Sequence, residues 1–334
     1  MGEFDLIKRF FTRPTPRAVL GVGDDCALLQ PRPGMHQAIS TDMLVSDRHF
    51  FADVDPRSLG HKALAVNLSD LAACGATPVA FTLALALPNA DPAWLEPFAQ
   101  GMLALADAHG CELIGGDTTQ GPLNICITVF GEVPQGQALL RSGARAGDDI
   151  YVSGTLGDAN LALTHLLRAR AGVEASAPPA TMELSADAMA FARDRLEQPT
   201  PRVALGTALR GIATAAADIS DGLLGDLGHI LERSGVGATL DTDRALTLLA
   251  SHRNAPSNEA LRRSVLRHVL SGGDDYELVF TAPTSKAEAV QTAALASQTP
   301  VTCIGQIDAE PGLRLVDQSG RPVANDFQSF DHFA

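Results

Sequence analysis

Five short acidic motifs are spaced along the chain: Gly23-Asp24-Asp25, Ser40-Thr41-Asp42, Asn67-Leu68-Ser69-Asp70, Gly115-Gly116-Asp117 and Asp218-Ile219-Ser220-Asp221. Most pair a carboxylate with a glycine or a hydroxyl, and most follow an apolar run of strand length. Glycine lets a ligand approach the backbone closely, and carboxylate and hydroxyl oxygens suit hard divalent cations. Such cations carry phosphates, which bare carboxylates would repel. The set points to metal-dependent phosphate chemistry.

Each motif has a plainer reading beside that one. Ala63, Asn67, Asp70 and Cys74 recur at helical spacing on one face of an unusually apolar segment, residues 58–73. An aspartate there is costly unless it is paired or bound to metal, so a hydrogen-bonded carboxylate and a metal ligand both fit. Gly115-Gly116-Asp117-Thr118-Thr119 follows a strand and reads as a tight turn or a phosphate site. Ser220 and Asp221 end a strand and open a helix, where either can cap it or, for Ser220, meet a phosphate. Ser271-Gly272-Gly273-Asp274-Asp275-Tyr276-Glu277 is a second glycine-rich turn between helix and strand. The P-loop pattern, the third glycine of a dinucleotide fingerprint and a His-Arg-Asp catalytic loop are absent from the sequence.

The elements that must position these residues alternate in type. Strands are expected at 37–41, 79–87, 112–114, 124–133, 150–153, 215–219, 238–241, 277–281 and 301–307. Helices are expected at 58–73, 92–109, 158–169, 185–196, 201–210, 222–234, 258–270 and 285–295. Pro92 and Pro201 suit first helical turns, and Gly110 and Gly235 suit C-termini. This predicts a mixed α/β fold with several antiparallel strand pairs. A boundary near Arg145-Ala146-Gly147-Asp148 divides it into domains 1–145 and 146–334, and residues 171–180, rich in Ala and Pro, read as a mobile loop.

The chain has 334 residues, 46% hydrophobic and 19% charged, with a net charge of −14. That balance describes a globular protein, and its sign argues against nucleic acid or an anionic membrane surface as a partner. Five cysteines without a Cys-x-x-Cys pair point to free thiols in a reducing compartment rather than a disulfide framework. The start lacks a signal-peptide pattern, and no apolar run has the length of a membrane span. A cytoplasmic protein is expected.

The residues resemble those of the thiamine-monophosphate kinase family. The resemblance rests on Gly21-Val22-Gly23-Asp24-Asp25-Cys26, Ser40-Thr41-Asp42, Asn67-Leu68-Ser69-Asp70, Gly115-Gly116-Asp117-Thr118-Thr119, Arg141-Ser142-Gly143-Ala144, Asp218-Ile219-Ser220-Asp221-Gly222, Gly272-Gly273-Asp274-Asp275-Tyr276-Glu277 and Phe330-Asp331-His332-Phe333. It runs in order from Gly2 to Ala334, with 171–183 as the main gap. It implies a two-domain aminoimidazole-ribonucleotide-synthetase-like fold, a homodimer formed by the N-terminal domains, and a C-terminal domain that completes the nucleotide and substrate site. It also implies ATP-dependent phosphorylation of thiamine monophosphate to thiamine diphosphate, the last step of that cofactor's biosynthesis.

By the same resemblance Asp25, Ser40, Thr41, Asp42, Asp70, Asp117, Asp218 and Asp221 bind several Mg²⁺ ions. Gly116, Asp117, Arg141 and Ser220 contact ATP, and His49, Asp274 and Phe330 contact thiamine monophosphate. Asp274 stands where many members carry Glu, and Phe330 where many carry Tyr or Trp; both keep their chemical character. Two other readings remain: amide or selenide activation on the same fold, and a non-catalytic nucleotide or divalent-cation binding module. Lys8 is the only lysine before Cys26, with no glycine-rich loop around it, which disfavours selenide chemistry. The completeness of the acidic set disfavours the module.

Overall fold

Two Asp-Pro pairs start the long helices of the N-terminal half. Asp55 accepts a hydrogen bond from the Ser58 N–H and Asp91 one from the Ala93 N–H, both at 2.9 Å. Pro56 and Pro92 fill first-turn positions whose N–H has no helical partner. Gly110 closes the second helix with a left-handed φ of 58°. The computed structural model describes residues 2–172, 182, 184–251 and 256–329, and the chain divides into two units, Met1–Ala138 and Leu139–Ala334.

The first unit begins with α1 (Glu3–Leu6), prolonged by a π turn over Ile7–Phe11. It continues through β1 (Met35–Val45), α2 (Pro56–Ala73), β2 (Thr77–Leu87), α3 (Pro92–His109), β3 (Glu112–Gln120) and β4 (Asn124–Pro134). The strands form a four-stranded sheet in the order β1-β4-β2-β3. Strand β4 is antiparallel to β1 and β2, and β3 is parallel to β2. Helix α2 is apolar almost all round, and Leu64, Ala65, Leu68 and Ala72 are fully buried, as expected for a helix packed on every side. It lies against β1, β2, β4 and α3. Strand alternation then buries Leu83, Leu85, Ile125, Ile127 and Val129, while Ile39 and Met43 remain 58% and 54% exposed.

The second unit contains β5 (Asp148–Ser153), α4 (Asp158–Arg170), α5 (Ala186–Glu197), α6 (Val203–Ala208), β6 (Ala215–Ile219), α7 (Leu223–Ser234), β7 (Gly237–Asp241) and α8 (Thr242–Leu246). It ends with α9 (Glu259–Ser271), β8 (Glu277–Pro283), α10 (Ala287–Ala296), β9 (Val301–Asp308), β10 (Gly312–Val316) and β11 (Pro322–Val323). The seven-stranded sheet has the order β11-β10-β7-β9-β5-β8-β6 and is antiparallel except for the β7–β10 pair. Ile150, Val152, Ile219, Leu223, Leu227, Ile230, Val269 and Val279 lie at its core. The fold is mixed α/β with mixed sheets, as the sequence predicts.

Two local expectations are corrected. The strand expected at 112–114 runs on to Gln120, so Gly115-Gly116-Asp117 lies inside β3 and is not a turn. The helix expected at 201–210 is confined to Val203–Ala208, with Arg202 as its N-cap and Pro201 outside it. The loop expected over 171–180 falls, from residue 173, outside the described residues. Among the described residues no helix is long and apolar enough to cross a membrane.

Candidate functional site

Strand β1 and helix α2 bring one group of predicted residues together. The Ser40 hydroxyl donates to Asp70 Oδ2, and the Asp42 N–H donates to Asn67 Oδ1 at 3.0 Å. Asn67 in turn donates to the Ala63 carbonyl one turn back, at 3.0 Å. The helical face of Ala63, Asn67 and Asp70 is therefore the face laid against β1. Asp70 is half-buried, and the Ser40 hydroxyl is one of its partners. Thr41, one residue out of phase, points to the other side of the sheet, where its hydroxyl meets that of Thr128 at 2.9 Å.

His49 follows in the loop after β1. Its Nδ1 accepts the Val45 N–H at 3.0 Å, so in the neutral ring the proton sits on Nε2. Nε2–H is then a donor, suited to contacting an anionic oxygen and unsuited to removing a proton.

A second group lines a cavity of about 620 Å³. Its polar side is Gly23, Asp24, Asp25, Gly115, Gly116, Asp117 and Thr118, and its apolar side includes Phe4, Ile7, Phe11 and Val22. The Asp25 N–H donates to Asp24 Oδ1 at 2.9 Å, a bond between adjacent residues. Gly116 has a φ of 145°, and a Cβ there would overlap the Leu83 carbonyl group, 2.6 Å from its carbon. Only glycine lets β3 run this close to β2 and leaves the backbone bare at the cavity. Asp42 on β1 and Asp117 on β3 sit on strands three spacings apart, about 14 Å.

In the second unit, β6 ends beside the start of β8, with Ile219 opposite Glu277. Asp218 lies buried within β6, opposite Leu278, while Ser220 and Asp221 follow the end of β6 and Asp274 lies in the turn before β8. The two loops are joined by backbone bonds: Asp274 N–H to Ser220 O at 2.9 Å and Tyr276 N–H to Ile219 O at 2.8 Å. Arg141 lies on the segment beside β6, where the Ala216 N–H donates to Leu140 O at 2.9 Å. The helix after Asp221 is capped neither by Ser220 nor by Asp221; its N-cap is Gly222, without a side-chain bond. Asp226, 4% exposed, instead accepts the Ser220 and Asp221 N–H groups at 3.1 and 3.2 Å. Burial pushes the Asp226 carboxyl up to about 6 against the opposing pull of the Asp221 N–H, and the Asp221 charge adds to the rise.

Residues without a predicted role support these loops: Asp226, and the buried Asp275 and Glu277 with Arg195 and Arg202. The alternation of acids at 275 and 277 at a strand start was the signal in the sequence. Burial raises the Asp275 carboxyl well above the usual carboxylate range. Phe330 falls outside the described residues. Among the described residues no three His, Cys, Asp or Glu side chains form a ready-made metal cage. The predicted donors are nevertheless all carboxylate or hydroxyl oxygens, the set that suits Mg²⁺.

Two family models match the chain: the N-terminal domain of AIR synthase related proteins over residues 23–133 and the C-terminal domain over residues 145–318. The paired mixed-sheet units are the architecture of that class. Thiamine-monophosphate kinase of Salmonella typhimurium is 46% identical over 338 residues, covering 100% of this chain and 98% of the relative. The crystal structure of thiamine-monophosphate kinase from Stenotrophomonas maltophilia K279a matches with a TM-score of 0.80 at 43% identity, over 96% of each chain. AaThiL complexed with AMPPCP and TMP matches with a TM-score of 0.71 at 27% identity, over 99% of this chain and 96% of that one. The chain belongs to the thiamine-monophosphate kinase family.

Proposed function

We propose that this chain transfers the γ-phosphoryl group of ATP to thiamine monophosphate, giving thiamine diphosphate and ADP. The observation that carries the reading is the cavity shared by Asp25, Gly116 and Asp117. A glycine-rich acidic side facing Phe4, Ile7 and Phe11 offers phosphates a bare backbone and a base an apolar wall. Full-length likeness to thiamine-monophosphate kinases supports the choice of acceptor.

The acceptor chemistry suits a site without a general base. A phosphomonoester has its second pKa near ~6, so its attacking oxygen is mostly ionised at neutral pH. His49, with Nδ1 engaged by the Val45 N–H, donates to the acceptor phosphate rather than abstracting a proton. What opposes reaction is repulsion: two unit charges about 4 Å apart repel by about 4 kcal/mol at an effective dielectric of 20, and each phosphate carries more than one. In this reading Asp25, Ser40, Thr41, Asp42, Asp70, Asp117, Asp218 and Asp221 would hold Mg²⁺, whose preference is for oxygen ligands. When bound, Mg²⁺ supplies the positive charge that offsets that repulsion. Gly116 and Ser220 cradle ATP phosphates, Arg141 clamps them with a permanent planar charge, and Asp274 and Phe330 recognise the acceptor's rings.

Residues 1–145 thus carry most of the metal and ATP motifs, and 146–334 the remaining nucleotide and substrate contacts. The exposed Ile39 and Met43 on the open face of the first sheet favour a homodimer covering that face in a cytoplasmic enzyme. The test is ADP release by the purified protein with ATP and Mg²⁺. Release should require thiamine monophosphate, stop with EDTA and return with excess Mg²⁺. Release independent of thiamine monophosphate would refute the proposal.

A further inference from the structure

The loop that presents Asp274 holds a conformation its sequence disfavours. Asp274 and Tyr276 have φ values of 67° and 50°, and neither is glycine. Such residues persist only where their surroundings over-determine them. Here side chains alternate about the strand start: Asp274 and Tyr276 stay partly exposed, whereas Asp275 and Glu277 are 0% exposed. The Tyr276 hydroxyl lies 3.5 Å from Asp274 Oδ1.

The buried pair is anchored from three directions. Both Asp275 oxygens accept the Gly157 N–H, at 3.0 and 2.9 Å. Arg195 donates to the Asp275 carbonyl at 3.0 Å and to Glu277 Oε1 at 2.8 Å. Glu277 Oε2 accepts from Arg202 Nε at 2.7 Å and from the Ser153 hydroxyl at 2.5 Å. Buried ion networks add little stability over apolar packing of the same volume, and a fixed geometry is what they can add. The geometry fixed here is that of the two positive-φ residues interleaved with the network.

We propose that Arg202, Arg195 and Glu277 are positioning residues for acceptor recognition, acting through the backbone of residues 274–276 to aim the Asp274 carboxylate at a cationic or amino-bearing ring. This rests on the proposed kinase function and extends it to residues that do not touch substrate. Arg202 lies nearer the surface than Arg195, with 17% and 9% side-chain exposure, so its replacement is the gentler probe.

The experiment compares Arg202→Met and Arg202→Lys with wild type, reading kcat, both KM values and melting temperature. Arg202→Met should raise the KM for thiamine monophosphate at least tenfold, leave that for ATP within twofold and keep kcat within threefold. Arg202→Lys, which restores a cation beside Glu277, should recover most of the difference. A lowered melting temperature with unchanged KM values, or equal rises in both, would overturn the proposal. If Arg202→Met does not fold, Ser153→Ala, which removes the bond the Ser153 hydroxyl donates to Glu277 and the one it accepts from the Leu278 N–H but no charge, should raise the acceptor KM at least threefold; no change overturns it.

A wild type inactive on thiamine monophosphate would count against the kinase reading instead. The network is then judged by hydrogen exchange. The Asp274 and Tyr276 amides should exchange at least tenfold faster in Arg202→Met than in Arg202→Lys, and equal rates overturn the proposal.

Discussion

Two adjacent glycines should respond very differently to the same methyl group. Gly116 sits at φ 145°, and its Cβ would overlap the Leu83 carbonyl of the neighbouring strand. Holding a side chain at such a φ costs about 1–3 kcal/mol. Relieving the overlap parts β3 from β2 locally, at about 1 kcal/mol for each ladder hydrogen bond lost. Loss of two such bonds brings the expected destabilisation of Gly116→Ala to about 3–5 kcal/mol, a large part of a typical domain's stability. A Cβ at Gly115 meets only Thr82 Cγ2 at 3.8 Å, an ordinary contact, so Gly115→Ala should lie within about 1 kcal/mol of wild type. Urea unfolding checks the pair, with KM for ATP measured on the folded fraction. Gly116→Ala should unfold at clearly lower urea and bind ATP more weakly. Coincident unfolding midpoints for the two variants would refute the strand register on which the cavity depends.

Asp70→Asn and Asp117→Asn should each lower turnover by about two orders of magnitude or more, because asparagine keeps shape but loses the charge that holds a cation; circular dichroism should show intact folds. Near-normal activity in both at saturating Mg²⁺ contradicts their assignment. His49→Gln should keep a substantial fraction of kcat while raising the KM for thiamine monophosphate about tenfold, the loss of one hydrogen bond to a charged group; a collapse of kcat with unchanged KM would reveal a base. Burial, aided by the charges of His165, Arg267 and Arg168, holds the His268 imidazole down to about 4. Between that value and the unfolded value near ~6.5 the unfolded chain binds a proton that the fold refuses. This contribution is therefore complete above pH ~6.5 and falls by about 3 kcal/mol as pH drops to ~4. His268→Gln should flatten that part of the stability–pH curve, and an unchanged slope contradicts the argument.

Much of the layout of the candidate site was legible because its residues fall in short local motifs. Asp70 and Asn67 share a helical face by spacing alone, and that face does meet Ser40 and Asp42. Gly110 and Gly235 take the left-handed caps expected of them, with φ of 58° and 67°. The glycine pair at 115–116 misled because Gly-Gly-Asp has a turn's composition, while its role in β3 depends on the backbone of Leu83, distant in sequence. The Asp221 cap failed for a different, local reason: Asp226, in the first turn of the helix, accepts the Ser220 and Asp221 N–H groups instead. Arg195 and Arg202 were invisible in advance, since their partner Glu277 lies 82 and 75 residues away. The short elements α1, α8, β10 and β11 are too brief to show a period.

Phosphorus NMR of the purified protein with ATP, Mg²⁺ and thiamine monophosphate tests the central claim most directly. The monophosphate signal should give way to the paired signals of thiamine diphosphate, with one ADP formed for each. Free thiamine at the same concentration and neutral pH should leave ATP intact. Formation of ADP and inorganic phosphate without a diphosphate, or efficient phosphorylation of free thiamine, would contradict the account.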